Sequence, residues 1–415
     1  MKELKLPVTK DNRDKFRSWV TDQGKNGGHA AAAFSGEDSW LTSGPLRIPF
    51  VSPIITWATT GGMAVGHIGR WYGPEGSGKS LTNWGLIYSA QNYPEVMTEI
   101  YEREIRFWQA RNKLKAGKIK KRLKEAIATF PDGMSVCLFD TEQRAQLDFA
   151  AQLGVDLGPD KFLMIEENVV EEIAWQMSQA VEAYHLVIVD SASDAMSYAE
   201  ANLEPGAYEQ GTAAQAWKRL RQVRRKLDRQ QNTIIIVDQM RLQLGQRHGS
   251  PKAKPPQNRF LKHNASIAIE FDEAKKLYLN NDMMLTNDYE KASKAFKSLG
   301  NDRPEIAGME MRCSVEKNST GKPFRSGITR FMFPVVDAGT GEIIQEIGFD
   351  QGFEMLKAAE HFRLIESGGG GMFYLLDDDF KQTKTKWKGE WRAIEGIMED
   401  EEIVDRILTR LRLAI

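Results

Sequence analysis

Residues 71–80 read WYGPEGSGKS. Their spacing is G-x-x-x-x-G-K-S, running from Gly73 and Pro74 through Glu75, Gly76, Ser77 and Gly78 to Lys79 and Ser80. Glycines here let successive backbone N–H groups converge on one anion. A lysine in this place reaches the outer oxygens of a polyphosphate, and the adjacent serine hydroxyl is a ligand for a hard divalent cation. The string IGRWY (68–72) before the loop reads as a strand and SLTNWGLIYSAQ (80–91) after it as a helix. That is the strand–loop–helix setting such a cradle requires, so a nucleoside triphosphate with Mg²⁺ is the expected ligand.

Outward from the loop the same rhythm continues. SVCLF (135–139), LVIVD (186–190) and TIIIVD (233–238) are apolar strings bounded by turn residues or helical spacing, which predicts an α/β fold with a mostly parallel central sheet and helices on both faces. Three units are expected: an N-terminal helix and oligomerisation segment over 1–43, an ATPase core over 44–345, and a small α/β domain over 346–415. Two stretches interrupt the core. Residues 95–130 have the spacing of a helical hairpin, with Ile100, Trp108 and Leu114 before Gly117 and Ile119, Leu123, Ile127 and Phe130 after it. Its polar face is basic, since residues 101–125 hold ten Lys or Arg against three Glu. Residues 274–303 are polar and read as a surface excursion.

Composition narrows the class. With 41% hydrophobic and 27% charged residues over 415 positions, a soluble globular chain is expected. No apolar run approaches the roughly 20 residues of a membrane helix. The opening MKELKLPVTK lacks the pattern of a secretory signal, and the two cysteines, Cys137 and Cys313, read as buried thiols, so a reducing cytoplasm is the expected location. The six histidines show no metal-ligand spacing. Net charge is −1, so any nucleic-acid contact must come from local clusters.

A triphosphate site needs a carboxylate on the metal side and a group that activates water. LVIVDSAS offers Asp190 at a strand end, and CLFDTEQ ends a second strand at Asp140 with Glu142 just beyond.

Taken in order, these strings resemble the RecA recombinases and their UvsX-type phage relatives. GHIGRWYGPEGSGKS is similar to the family's first strand and phosphate loop, CLFDTEQRAQLDFAAQLGVD to the strand bearing the catalytic glutamate, LVIVDSAS to the metal-side strand, and TIIIVDQMRLQLG to the strand ending in the family's sensor element. The resemblance implies ATP and Mg²⁺ as cofactors. Residues 73–80 and Asp190 would hold them, with Ser80 and Asp190 on the metal side and Phe149 against adenine. Glu142 would be the catalytic glutamate, Gln239 the γ-phosphate sensor, and Lys317, in SVEKNSTGKPF, a cation reaching ATP across a subunit interface; Ser319 stands where the family has a second lysine. The strand of Gln239 runs into a basic loop, about 243–264, expected to bind DNA through Arg241, Arg247, Lys252, Lys254, Arg259 and Lys262. This loop carries Pro255 and Pro256 in place of paired glycines, and His263 in place of an aromatic.

The function implied is an ATP-dependent recombinase that forms a homo-oligomeric helical filament on single-stranded DNA and pairs it with a homologous duplex. It would work in a bacterial cell or a phage-infected host, alongside a single-strand-binding protein and a loader. A ring-forming helicase of the DnaB type and a non-catalytic recombination mediator are the alternatives.

Overall fold

The computed structural model describes residues 44–203, 217–227, 231–242, 253–254, 259–279, 285–290, 292–293, 304–336 and 343–411. The N-terminal segment 1–43 lies outside them. Among the described residues the centre is an 11-stranded mixed sheet. Its parallel part is built from β1 (Ile68–Gly73), β2 (Val136–Asp140), β3 (Phe162–Glu166), β4 (Leu186–Asp190), β5 (Thr233–Gln239) and β6 (Ile267–Phe271), in the order β6-β1-β5-β4-β2-β3.

Strands covered on both faces read as continuous apolar runs, and the two faces divide residue by residue. Leu138, Ile188, Ile235 and Val237 enter one core with helices α1 (Pro53–Ala58), α2 (Lys79–Gln91), α3 (Tyr93–Arg111) and α4 (Lys113–Thr129). Phe139, Val187, Val189, Ile234 and Ile236 enter the other with α6 (Val170–Ala183) and α7 (Leu220–Lys226); the short α5 (Leu147–Gln152) packs on the first side. On α7, Leu220 and Val223 are buried and Leu227, just past its end, packs against the same cluster.

Beyond β6 the sheet turns antiparallel through β7 (Lys275–Leu279), β8 (Leu285–Thr286), the long β9 (Ile306–Asn318), β10 (Ser326–Met332) and β11 (Gly348–Phe349). Part of the supposed surface excursion at 274–303 is therefore sheet. Leu277 and Leu279 are buried with Tyr278 half-buried between them, the period of two that a strand shows. The hairpin also breaks elsewhere than the apolar spacing suggests. Asn112 ends α3, and its side chain accepts the amide of Lys115 at 3.1 Å to cap α4. Gly117 thus lies inside α4, and Leu114 points outward, 77% exposed.

The C-terminal stretch builds its own antiparallel sheet from β12 (Ile365–Gly368), β13 (Met372–Leu376) and β14 (Gln382–Lys388). Against it lie α9 (Gln351–His361), α10 (Glu390–Met398) and α11 (Glu401–Leu411), with α8 (Arg259–Asn264) back at the core. The GGGG run is the reversal between β12 and β13, where Gly370 and Gly371 take φ of 69° and 73°. The C-terminal apolar cluster, centred on Phe353, Leu356, Ile397 and Ile407, includes Ile54 of α1.

One buried carboxylate ties the two parts together. Glu354 of α9 accepts from Ser52 Oγ (2.7 Å), from the amide of Ile54 (3.0 Å) and from the Thr329 hydroxyl. Burial pushes its pKa up to about 7, against the pull of those hydrogen bonds. A raised acid is protonated in the fold over a range where the unfolded chain is ionised. Stability should therefore fall as pH rises from about 4.5 to about 7, by on the order of 3 kcal/mol. Comparing urea midpoints at about pH 5 and about pH 8 tests this, and in Glu354→Gln that part of the slope should vanish.

Candidate functional site

The parallel strands end level with one another. Gly73 is in register with Gln239, and Asp140 with Asp190, so four strands deliver their C-terminal residues to one edge of the sheet. This is where open α/β sheets bind ligands.

The phosphate loop leaves β1 at this edge and enters α2 at Lys79. Its glycines are sterically required at two points. A Cβ on Gly73 would meet the Phe271 carbonyl at 2.3 Å, and Gly78 has φ of 91° with a Cβ position 1.7 Å from Met311 Sδ. Lys79 is buried; its ammonium donates to the carbonyls of Gly73 (3.0 Å) and Pro74 (2.5 Å) and to Ser77 Oγ (3.3 Å). Burial lowers its pKa, while Asp190, Glu142, Asp238 and Glu75 work in the other direction.

Asp190 lies beside the start of α2. Its carboxylate accepts from Asn83 Nδ2 at 3.1 Å and from the Ser80 side chain. Burial raises its pKa; those two bonds and Lys79 oppose the rise. A hard cation suits this pair, because Mg²⁺ takes one or two protein oxygens and completes its shell with water and phosphate. Among the described residues no group of three or more His, Cys, Asp or Glu could hold a metal by itself. The glycine cradle, the buried ammonium and the paired hydroxyl and carboxylate therefore fit a Mg²⁺–polyphosphate.

Glu142 belongs to a tight polar network. Its Oε1 accepts from Ser191 Oγ at 2.8 Å and from Gln239 Nε2 at 2.6 Å. Gln239 Nε2 also reaches Asp194 Oδ2 at 3.1 Å, and Ser191 Oγ lies 2.8 Å from that same oxygen. Desolvation, then the hydrogen bond to Asp194, pushes the Glu142 pKa up; the Ser191 bond pulls it down. Loss of solvent around the carboxylate is the main cause, and the second carboxylate nearby adds to it. Asp140 is a turn cap: it accepts the amides of Glu142 (3.2 Å) and Ala145 (2.8 Å) and so fixes where Glu142 stands.

Sequence reading missed several supporting residues. Asn83, Ser191 and Asp194 were not singled out, although Ser191 and Asp194 follow directly on LVIVD. Nor was the buried pair in which Arg70 donates to Asp238 Oδ2 from Nε (3.0 Å) and NH2 (2.5 Å). Asp238 also accepts from Ser193 Oγ (2.7 Å), and Ser193 Oγ in turn accepts the amide of Gln239 (2.6 Å). This chain fixes the place of Gln239 between β1 and β4.

Phe149, on α5, lines a cavity of 250 Å³ together with Trp84, Phe333, Ser80, Glu142 and Asp190. Its lining mixes apolar side chains, among them Trp84, Ile87 and Leu138, with polar ones. Phe149 also stacks on Phe331, with centroids 5.9 Å apart, so it serves core packing at the same time.

The basic loop is described only at its base, where Arg241 pairs with Lys254 and Leu242 with Ala253. Arg247 and Lys252, and the side chains of Arg241, Lys254 and Arg259, lie outside the described residues. Lys262 is exposed on α8. Lys317, on β9, donates to the carbonyls of Lys262 (3.3 Å) and His263 (3.2 Å); within one chain those are its partners, in place of the Lys79–Glu142 cluster.

The family model for the RecA N-terminal domain matches residues 114–298, which contain Glu142, Asp190 and Gln239. The chromosomal RecA protein of Lactococcus lactis subsp. lactis is 24% identical over 303 residues, 72% of this chain and 67% of that protein. RecA of Pseudomonas putida is 23% identical over 354 residues, 84% and 78% of the two chains. A crystal structure of the RadB recombinase aligns over 67% of this chain and 92% of that one, at 12% identity and a TM-score of 0.39. With its strand-end residues in this order on a mostly parallel α/β sheet, the chain is similar to the RecA proteins and matches the RecA N-terminal domain over residues 114–298.

Proposed function

We propose that the protein is an ATP-dependent DNA recombinase that assembles as a helical filament on single-stranded DNA and promotes homologous pairing and strand exchange. One observation carries this reading: the Gln239 amide bonds to Glu142 at 2.6 Å at the end of a strand that continues into the basic loop. A change at the phosphate end of the site is thereby linked, through a few residues of backbone, to a DNA-binding segment.

In this reading Ser80, with Asp190 behind it, would hold Mg²⁺, and the ion would supply charge neutralisation at the outer phosphates. Lys79 and the loop amides bind the same oxygens. Glu142 orients water and accepts its proton, helped by a pKa raised above the usual carboxylate range. Gln239 trades its bond to Glu142 for one to the terminal phosphate, and returns when that group leaves. Phe149 packs on the base. Lys317 of a neighbouring copy completes the site, which makes nucleotide a bridge between subunits. The loop cations hold the strand, and residues 1–43 dock one copy on the next, with 44–345 as the ATPase core and 346–415 as a separate domain. Work inside a cell, with a single-strand-binding protein and a loader, follows from the same reading. Among the described residues no helix is long and apolar enough to cross a membrane.

The test is ATP turnover with and without single-stranded DNA. Turnover should rise on adding the strand. Directional unwinding by closed rings would favour a helicase instead, and ATP binding without strand-stimulated turnover would favour a mediator.

A further inference from the structure

The geometry points to a second DNA contact on the exposed face of α4, a lysine row that holds the phosphate backbone of a duplex without reading its bases.

The charge is segregated. Residues 101–125 carry a surplus of seven positive charges, while the whole chain is −1, so the remainder is net negative by eight. Much of the hairpin's arginine is already engaged: Arg103 with Asp405 (3.2 Å), Arg122 with Glu125 (3.1 Å) and the Gly44 carbonyl, and Arg111 over the Phe107 ring (4.0 Å). Lys113, Lys118, Lys120, Lys121 and Lys124 are different. All five are exposed, and none is paired with a carboxylate among the described residues.

Their placement is ordered. At about 100° per residue, Lys113, Lys120 and Lys124 fall within about 40° of one another, with Lys121 on the flank, along a row of roughly 16 Å. The far side of the helix is anchored by Ile119 and Ala126, and Ala116, at the edge of the row, is buried as well. The row is thus presented on a rigid support.

A second, independent feature lies on the same stripe. Gly117 sits inside α4, where glycine costs about 1 kcal/mol relative to alanine. A Cβ there would meet nothing within 4 Å, so packing gives no reason for it. A bare backbone in the middle of a lysine row is what close approach of a phosphate chain requires.

The chemistry favours a duplex over a single strand. Single-strand grooves add aromatic platforms for the bases, but the hairpin's Trp108 is covered by Lys115, 3.6 Å above the ring, and Phe107 by Arg111. The row is all lysine, a point charge suited to phosphate; base edges are read chiefly by the forked guanidinium of arginine and by amides. The contact rests on the recombinase reading only for why a duplex should be held there.

Full-length protein and a labelled duplex, titrated by fluorescence anisotropy over a range of salt, test the proposal. The quadruple variant Lys113→Gln, Lys120→Gln, Lys121→Gln, Lys124→Gln should lose about 10-fold or more in duplex affinity, and its salt slope should fall by about 3 to 4. Single-strand affinity and strand-stimulated ATP turnover should stay as in the wild type, which also shows that the variant is folded. Gly117→Ala should melt no earlier than the wild type yet bind duplex more weakly. Unchanged duplex affinity and slope in the quadruple variant would overturn the proposal. So would an equal loss on single-stranded DNA, or wild-type binding to poly-glutamate as tight as to duplex, which would mark the face as a site for an acidic protein. If the wild type shows no strand-stimulated turnover while duplex binding still depends on the lysines, the recombinase reading fails and this contact stands.

Discussion

Lys79→Ala is expected to lower ATP turnover by about 10²- to 10³-fold and to remove ATP-dependent assembly. The ammonium is buried at the centre of the loop, bonded to the Gly73 and Pro74 carbonyls and to Ser77 Oγ. In the proposed function it is therefore already held at the loop that would cradle the phosphates, and little ordering of that side chain is needed on binding. Burial lowers its pKa, a cost that a polyanion offsets. Arginine should not restore function, because its planar fork does not fit a cradle shaped around a point charge. Turnover by phosphate release, with thermal melting as the control for folding, reads the effect. A variant that melts like the wild type and still hydrolyses ATP at the wild-type rate would exclude Lys79 from the site.

Glu142→Gln is expected to separate binding from turnover. Hydrolysis should fall by about 10²- to 10⁴-fold, the usual worth of a positioned general base, while nucleotide binding stays. The amide keeps an oxygen to accept from Ser191 and Gln239, which now donate to Glu142 Oε1 at 2.8 and 2.6 Å. The network should therefore hold its shape without its proton acceptor. The pH dependence has a definite sign. As the proposed base, Glu142 would act when ionised, and its pKa is raised by desolvation and by Asp194, so in the wild type the rate should be lost on acidification at a higher pH than for an ordinary glutamate. Stopped nucleotide exchange, together with a pH–rate profile, checks both statements. A variant with full turnover would place the base elsewhere.

How far this site could be read before the structure depends on what each residue does locally. Lys79, Ser80, Asp190, Glu142 and Gln239 stand at or just past the ends of apolar strings, and a parallel sheet brings strand ends together by construction. Asn83, Asp194 and the Arg70–Asp238 pair are legible only through contacts between segments far apart in the chain; Arg70 and Asp238 are 168 residues apart. The antiparallel extension was hidden for a related reason. β7 has only five residues and is polar at its start, so its assignment depends on pairing with β9. In the hairpin, the apolar spacing gave two helices correctly, but a side-chain cap at Asn112 outweighed the glycine as the place to turn.

The central claim is that an intact nucleotide at Lys79 decides whether copies assemble along a strand. Electron microscopy of the protein on single-stranded DNA, with ATP and without nucleotide, tests it most directly. The account predicts continuous helical filaments with ATP and none without it. Filaments that form equally well in the absence of nucleotide, or single copies that persist when ATP is bound, would contradict it.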